Sequence, residues 1–178
     1  DLKEIIGSGR SYPRAKQHYF KDSITWTFVS SSNFGVRHSD KGFIFDMAGC
    51  SAFADDLKLK PMLLGYLCSV LAFYFLKMLN PTLNFQAGNI GSLPWLSIYD
   101  VVNSETIVMN VEAAKCFVKN DWDSFETSWD FQQLPLIKVT GDRLQVTVKE
   151  VYAKLREQWI ESTLKMQELE EENNRIFI

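Results

Sequence analysis

The chain is poor in the residues on which metal proteins and most hydrolases depend. Its three cysteines, Cys50, Cys68 and Cys116, are widely spaced and form no C-x-x-C pair. So sparse and odd a count argues against a disulfide scaffold and suits a reducing compartment, so a cytoplasmic location is expected. Two histidines, His18 and His38, leave no His/Cys spacing that would converge on a metal. The G-x-S-x-G of a serine nucleophile is absent. An acid followed by E-x-K, as in many nucleases, finds no match, because Glu112 and Lys115 stand one residue too far apart. Gly7-x-Gly9 has no third glycine and no helical pattern behind it, so it marks a turn rather than a nucleotide loop. Repeats, low-complexity tracts and a signal peptide are not visible. Nothing in the chain looks like a free-standing enzyme.

What is present is an ordinary globular composition. Of 178 residues, 46% are hydrophobic and 23% charged, enough to bury one core with room for an appendage. The chain starts at Asp1 without Met and stops on the apolar Arg175-Ile-Phe-Ile178, and is expected to be a piece of a longer protein. Net charge is −3, which speaks against simple nucleic-acid binding, but the charge is unevenly spread. Residues 1–100 hold 10 Lys and Arg against 8 Asp and Glu, whereas residues 101–178 hold 9 against 14. Residues 3–41 alone hold 7 basic and 3 acidic groups. The chain is basic first and acidic last.

Ile24 to Val29 alternates apolar residues with Thr and predicts a half-buried strand. Phe34–Arg37 is a candidate short strand. Asp40-Lys41-Gly42 makes a turn into a further predicted strand, Gly42–Met47, ended by Ala48-Gly49. Pro61 opens a helix over Met62–Leu79, whose 18 residues are apolar on nearly every side. That length borders on the membrane-spanning range, but Gly65, Cys68, Ser69 and Lys77 dilute it. A buried core helix between sheet and helices is expected, with no membrane partner. Leu96–Tyr99 is a candidate extended run. Ser104 is a candidate N-cap for a helix to about Lys119, with Ile107, Val111, Ala114 and Val118 on one stripe. Leu134-Pro135-Leu136 interrupts. A long helix is predicted from Thr147 to about Phe177, its stripe formed by Val148, Val151, Leu155, Trp159, Met166, Leu169 and Ile176.

Two stretches invite a chemical reading. Asn80–Trp95 is dense in amides and glycine, a polar loop behind a greasy helix, and Asn80-Pro81 begins like the N-P-P-Y motif of amino-methyltransferases. In that motif the Asn side chain and a following carbonyl accept the adenine amino protons, and the aromatic ring stacks on the flipped base. Here Thr82 and Leu83 fill the last two places, so the catalytic reading fails. Asp121, Asp123, Glu126 and Asp130 do not fit a calcium loop, because Glu126 stands where Gly is needed. Trp122, Phe125, Trp129 and Phe131 are expected to pack that loop onto the body.

Tyr19-Phe20, Ile24-Thr-Trp26, Gly42-Phe-Ile-Phe-Asp46, Leu64-Gly-Tyr-Leu67, Asn80-Pro-Thr-Leu-Asn-Phe85, Gly88-Asn-Ile90 and Leu93-Pro94 carry a resemblance. Asp121-Trp-Asp-Ser-Phe-Glu-Thr-Ser-Trp-Asp-Phe131, its most specific piece, and Glu171–Ile178 extend it over nearly the whole chain. The sequence resembles the C-terminal part of the PglX-like adenine-specific DNA methyltransferases of phage-defence (BREX) and restriction–modification systems. The resemblance implies that the S-adenosylmethionine loop and N-P-P-Y lie upstream in a separate Rossmann-like domain. It further implies that this fragment is non-catalytic and recognises the target site.

The implied fold class is α+β: a small twisted β-rich target-recognition unit packed on a buried helix, then a helical segment with one long helix. The implied division is residues 1–100 for recognition, with the buried helix 62–79, and residues 101–178 for a spacer or docking segment. Gly88–Ile90 and Leu93-Pro94 would close the recognition fold. The partner is double-stranded DNA, positioned for a methyltransferase domain that would bind S-adenosylmethionine; the fragment itself needs no cofactor. Lys and Arg suit phosphates, and polar loop side chains suit base edges. Side-chain type and loop placement select Arg14, Lys16, Lys21, Ser32, Asn33, Arg37, His38 and Lys41, with Gln86 and Asn89 second. The rival expectation is a helical module docking onto another defence-system subunit, or onto a second copy through the long helix.

Overall fold

The alternating Ser-Ile-Thr-Trp-Thr sequence forms strand β1, Ser23–Thr27, with Ile24 and Trp26 buried. In the computed structural model, which describes residues 15–56, 58–95, 103–140 and 147–178, β1 is the centre of a three-stranded sheet. Strand β2, Val36–Ser39, and strand β3, Gly49–Ala52, flank it, both antiparallel. Thr25 lies opposite Arg37 on one side and Ser51 on the other, while Trp26 lies opposite Val36 and Cys50. Period-two alternation therefore gives the sheet an inner face of Ile24, Trp26, Val36, His38, Cys50 and Ala52. The opposite face is built from small hydroxyl side chains and Arg37.

The strand expected at Gly42–Met47 is not formed; the third strand is Gly49–Ala52, where the chain was expected to turn away. Phe43 and Phe45 are used for ring packing instead, Phe45 against Tyr19 at 5.6 Å and Phe53 at 5.1 Å. The Asp40–Gly42 turn is present, with Gly42 at φ 105°, a conformation that glycine adopts without strain.

The predicted single helix 62–79 is two helices, α1 (Leu59–Leu67) and α2 (Val70–Leu79), bent by 68° at Cys68-Ser69. The break has a local cause. Buried Ser69 is extended and caps α2, its Oγ accepting from the Ala72 N–H and donating to the Tyr66 carbonyl. Among the described residues no single helix is long and apolar enough to cross a membrane. Only α1 is buried through most of its length; α2 leaves Val70, Tyr74 and Met78 exposed. Asn80–Trp95, expected as loop, contains a short helix α3, Ala87–Gly91.

Helix α4, Ser104–Trp122, starts one residue earlier than expected of its cap: Asn103 is the N-cap, in the left-handed region, and Ser104 is already helical. Pro135 opens a short helix, α5 (Pro135–Thr140), rather than merely interrupting. The long helix α6, Val148–Phe177, has the predicted bounds, and Thr147 with Glu150 forms a capping box at its start. Val151, Leu155 and Leu169 of its stripe are buried, whereas Val148 and Trp159 are exposed. The fold is α+β, with a small antiparallel sheet and a long C-terminal helix.

One buried cluster joins sheet and helices. Ile24 and Trp26 of β1, Met62, Leu64 and Leu67 of α1, Ala72 and Leu76 of α2, and Ile107 and Val111 of α4 all belong to it. Phe85 and Leu93 close it from the loop, and the Trp26 indole N–H donates to the Phe85 carbonyl at 2.9 Å. The C-terminal end of α6 is tied in by polar contacts: Asn110 donates to Asn173 and Glu172, and Asn174 accepts from the Val70 N–H at 2.9 Å.

Candidate nucleic-acid interface

The sheet's outer face carries a concavity that mixes hydroxyl and aromatic side chains. Ser23 and Thr25 from β1, Ser39 from β2, and Gly49 and Ser51 from β3 floor a groove of about 470 Å³. Lys21 stands at one edge, and Phe43, Ile44, Phe45 and Asp46 of the β2–β3 loop form the wall. Small side chains on adjacent strands leave the backbone close to the surface, and their hydroxyls can donate or accept. Thr25 Oγ1 donates to the Cys50 carbonyl, and Arg37 Nη2 donates to Thr27 Oγ1 at 2.8 Å, which lays the guanidinium across the outer face. Asp46 is committed to the loop: its Oδ1 accepts from the N–H groups of Ala48 and Gly49 at 2.8 and 3.0 Å, aiming the chain into β3.

The sequence-selected residues separate into three groups. Lys21 lines the outer-face groove and exposed Arg37 lies across that face; Lys41 is exposed in the turn after β2, its charge acting on Asp22, and exposed Lys16 lies in the short 3-10 turn Lys16–His18 before β1. Ser32 and Asn33 sit on the exposed β1–β2 loop. That loop is hydrogen-bonded to the stretch before α3, through Ser30 N–H to Leu83 and Phe85 N–H to Phe28, so Gln86 is brought to the same end of the sheet. Arg14 lies outside the described residues, as does the run 96–99.

His38 and Asn89 are differently placed. His38 is on the inner face, with its side chain 19% exposed, between Asp22 and Asp40 and near the Asp22–Lys60 ion pair. Burial and the Lys115 charge hold its pKa below the usual histidine value, against the opposing pull of Asp40 and Asp22. The hydrogen bond from Lys60 likewise lowers Asp22. Asn89 accepts from Asn80 Nδ2 at 3.2 Å. Asn80 itself is fully engaged: Nδ2 also donates to the Asn84 carbonyl, and Oδ1 accepts from the N–H and hydroxyl of Thr82. The amide that resembled a methyl-transfer residue is the internal clamp of its loop.

The 119–131 stretch also departs from expectation. Phe131 is half-buried, but Trp122, Phe125 and Trp129 are exposed rather than packed onto the body. The segment is held from within: Lys119 donates to Asp123 and Asp130 at 2.8 and 2.6 Å, and buried Ser128 donates to Asp123. These bonds raise the Lys119 pKa and lower that of Asp123. Trp129 stacks on Phe43 of the β2–β3 loop, with ring centroids 5.6 Å apart. Sequence reasoning missed this pair, and both residues lie in segments singled out for other reasons.

Fold and site together define a small α+β unit that presents a polar, cation-flanked sheet face. No protein-family model matches the chain. It is 32% identical over 179 residues to the adenine-specific methyltransferase PglX of Lacticaseibacillus casei (strain Zhang), covering 100% of this chain and 15% of that protein. It is 33% identical over 132 residues to the adenine-specific methyltransferase BrxX of Escherichia coli O9:H4 (strain HS), covering 72% of this chain and 10% of that protein. The chain thus resembles one segment of PglX over its whole length and of BrxX over 72% of it, and spans 15% and 10% of the length of those two methyltransferases.

Proposed function

We propose that this chain is the DNA-recognition segment of an adenine-specific DNA methyltransferase of a restriction–modification or phage-defence system. Residues 1–100 meet duplex DNA, and residues 101–178 serve as a helical spacer towards the methyltransferase body. S-adenosylmethionine and the methyl-transfer residues belong to another part of the parent protein, in the cytoplasm. The observation that carries the reading is the outer sheet face, where a row of hydroxyls is flanked by Lys21 and Arg37, with Lys41 exposed in the turn after β2. Cations at its edges suit phosphates, and short polar side chains between them let a nucleic-acid backbone approach closely. Lys16, Ser32, Asn33 and Gln86 extend the same surface at its two ends; His38 and Asn89 support it from within.

The test is salt-dependent binding of the 178-residue chain to duplex DNA. If Lys21, Arg37 and Lys41 each neutralise one phosphate, log K falls with log salt at a slope of about −2.7. Arg37→Glu with Lys41→Glu should weaken binding and bring the slope towards about −1. Unchanged affinity in that double variant refutes the reading. A second reading has its own observation: Trp159, Ile160 and Leu164 are exposed along the middle of α6. This suits docking of the helix onto another subunit or a second copy, and light scattering that finds a dimer indifferent to DNA would favour it.

A further inference from the structure

The Phe43–Trp129 stack is made in an unusual place. Trp129 is 90% exposed and Phe43 47%, yet the two rings lie within 24° of parallel. An indole left in water forgoes burial energy, and here the loops on both sides are stiffened so as to keep it there. Beneath Phe43, the Phe20 N–H donates to the Phe43 carbonyl and the Gly42 N–H donates to the Phe20 carbonyl. Beneath Trp129, Ser128 Oγ accepts from the Asp130 N–H while Lys119 ties Asp123 to Asp130. Phe43 is also a wall residue of the outer-face groove, so the stack borders the proposed DNA surface.

We propose that Phe43 and Trp129 form a stacking platform for an unpaired or extruded nucleobase at the rim of that groove. The inference rests on the DNA-recognition reading and adds to it a contact that no basic residue can supply. Stacking on an aromatic face tolerates any base, because every base has a π-face. The charge distribution fits this division of labour. Asp123 and Asp130 are paired with Lys119, and exposed Asp121 and Glu126 keep this rim unfavourable for phosphate. The rim therefore holds a base, while Lys21 in the groove and Arg37 across the sheet face hold the backbone. A cationic protein segment would also be drawn to acids beside an indole, but it would not use the groove that Phe43 shares with Lys21 and the hydroxyl row.

The experiment compares binding of the 178-residue chain to a fully paired duplex and to the same duplex carrying one bulged adenine. The wild type should prefer the bulged duplex. Trp129→Ala should lose roughly 5- to 100-fold in affinity for it, with the salt slope unchanged, and Trp129→Phe should retain most of the preference. Because Trp129 is almost wholly exposed, thermal unfolding of both variants should match the wild type. If Trp129→Ala binds the bulged duplex as the wild type does, while the Arg37→Glu, Lys41→Glu variant is weakened, the platform is overturned and the recognition reading stands. If the wild type binds neither duplex, both fall together.

Discussion

Gly65→Ala is the most direct probe of how the sheet-bearing part of the chain is joined to its helices. Gly65 lies inside α1, where replacing glycine by alanine in an open helix would stabilise by up to about 1 kcal/mol. The site is not open. A Cβ added at Gly65 would stand 2.9 Å from Val111 Cγ2 and 3.1 Å from Ile107 Cγ2, with Asn173 Nδ2 at 3.8 Å. Both methyls belong to β-branched residues buried in α4, whose χ1 angles are restricted in a helix, so neither can swing aside. The remedy open to the fold is to move α1 and α4 apart, which loosens the packing around Leu64 and Leu67. Overpacking of this kind costs about 1–3 kcal/mol.

Set against the helix-propensity gain, the net expectation is a loss of about 1–2 kcal/mol, or roughly 2–8 °C in Tm for a chain of this size. Urea unfolding of wild type, Gly65→Ala, Val111→Ala and the double variant gives the coupling. Val111→Ala removes the methyl nearest the new Cβ, so the double variant should be more stable than the sum of the singles by about 0.5–2 kcal/mol. Stabilisation of the Gly65→Ala protein by about 1 kcal/mol, with no coupling to Val111, would mean that helix propensity alone operates there. The close approach of α1 to α4 would then be refuted, and with it the packing that joins residues on either side of 100.

Two further perturbations test the polar framework. Asn80→Ala removes four hydrogen bonds at once, to Thr82, Asn84 and Asn89, and should cost about 1–3 kcal/mol, with hydrogen-exchange protection lost mainly over residues 81–92; unchanged protection there would remove Asn80 from its role as clamp. His38 has a native pKa held below 6.5, so the unfolded chain binds the proton more readily than the folded one. Its contribution is complete above pH 6.5 and lost as pH falls through the native value. His38→Gln should flatten the stability profile in that window, and an identical slope in variant and wild type would contradict the inner-face placement.

Much of the fold was legible because strong periodic signals agreed with local chemistry. The Ile24–Trp26 alternation marks a strand with one buried face, and Thr147 three residues before Glu150 marks the start of α6. The failures have equally local causes. Gly49-Cys-Ser-Ala52 lacks the β-branched and aromatic residues that announce a strand; it pairs because the Asp46 turn delivers it to the free edge of β1. Gly42–Met47 has those residues, but its rings are drawn into side-chain clusters. The break at Ser69 is hidden inside an apolar run, since one serine among hydrophobic residues carries little signal until Tyr66 and Ala72 are seen to bond it.

The site was harder to read than the fold, and the reason lies in a two-residue slip. With the second strand taken as Phe34–Arg37, His38 falls in a loop, as free as its neighbours. With the strand at Val36–Ser39, alternation sends Arg37 and Ser39 outward and His38 inward, so two adjacent candidates take opposite roles. Burial then decides what each can do: His38 is used up by Asp22, Asp40 and the core, while Arg37 spends only one contact on Thr27. The same logic applies to the acidic and aromatic 121–131 run. Its composition suggested a loop anchored by its rings, but the structure anchors it by Lys119 and Ser128 and leaves three rings outside. A segment whose polar groups face inward and whose aromatics face water is built to present those aromatics. Its contact with Phe43 at the groove's edge makes DNA the occupant to test first.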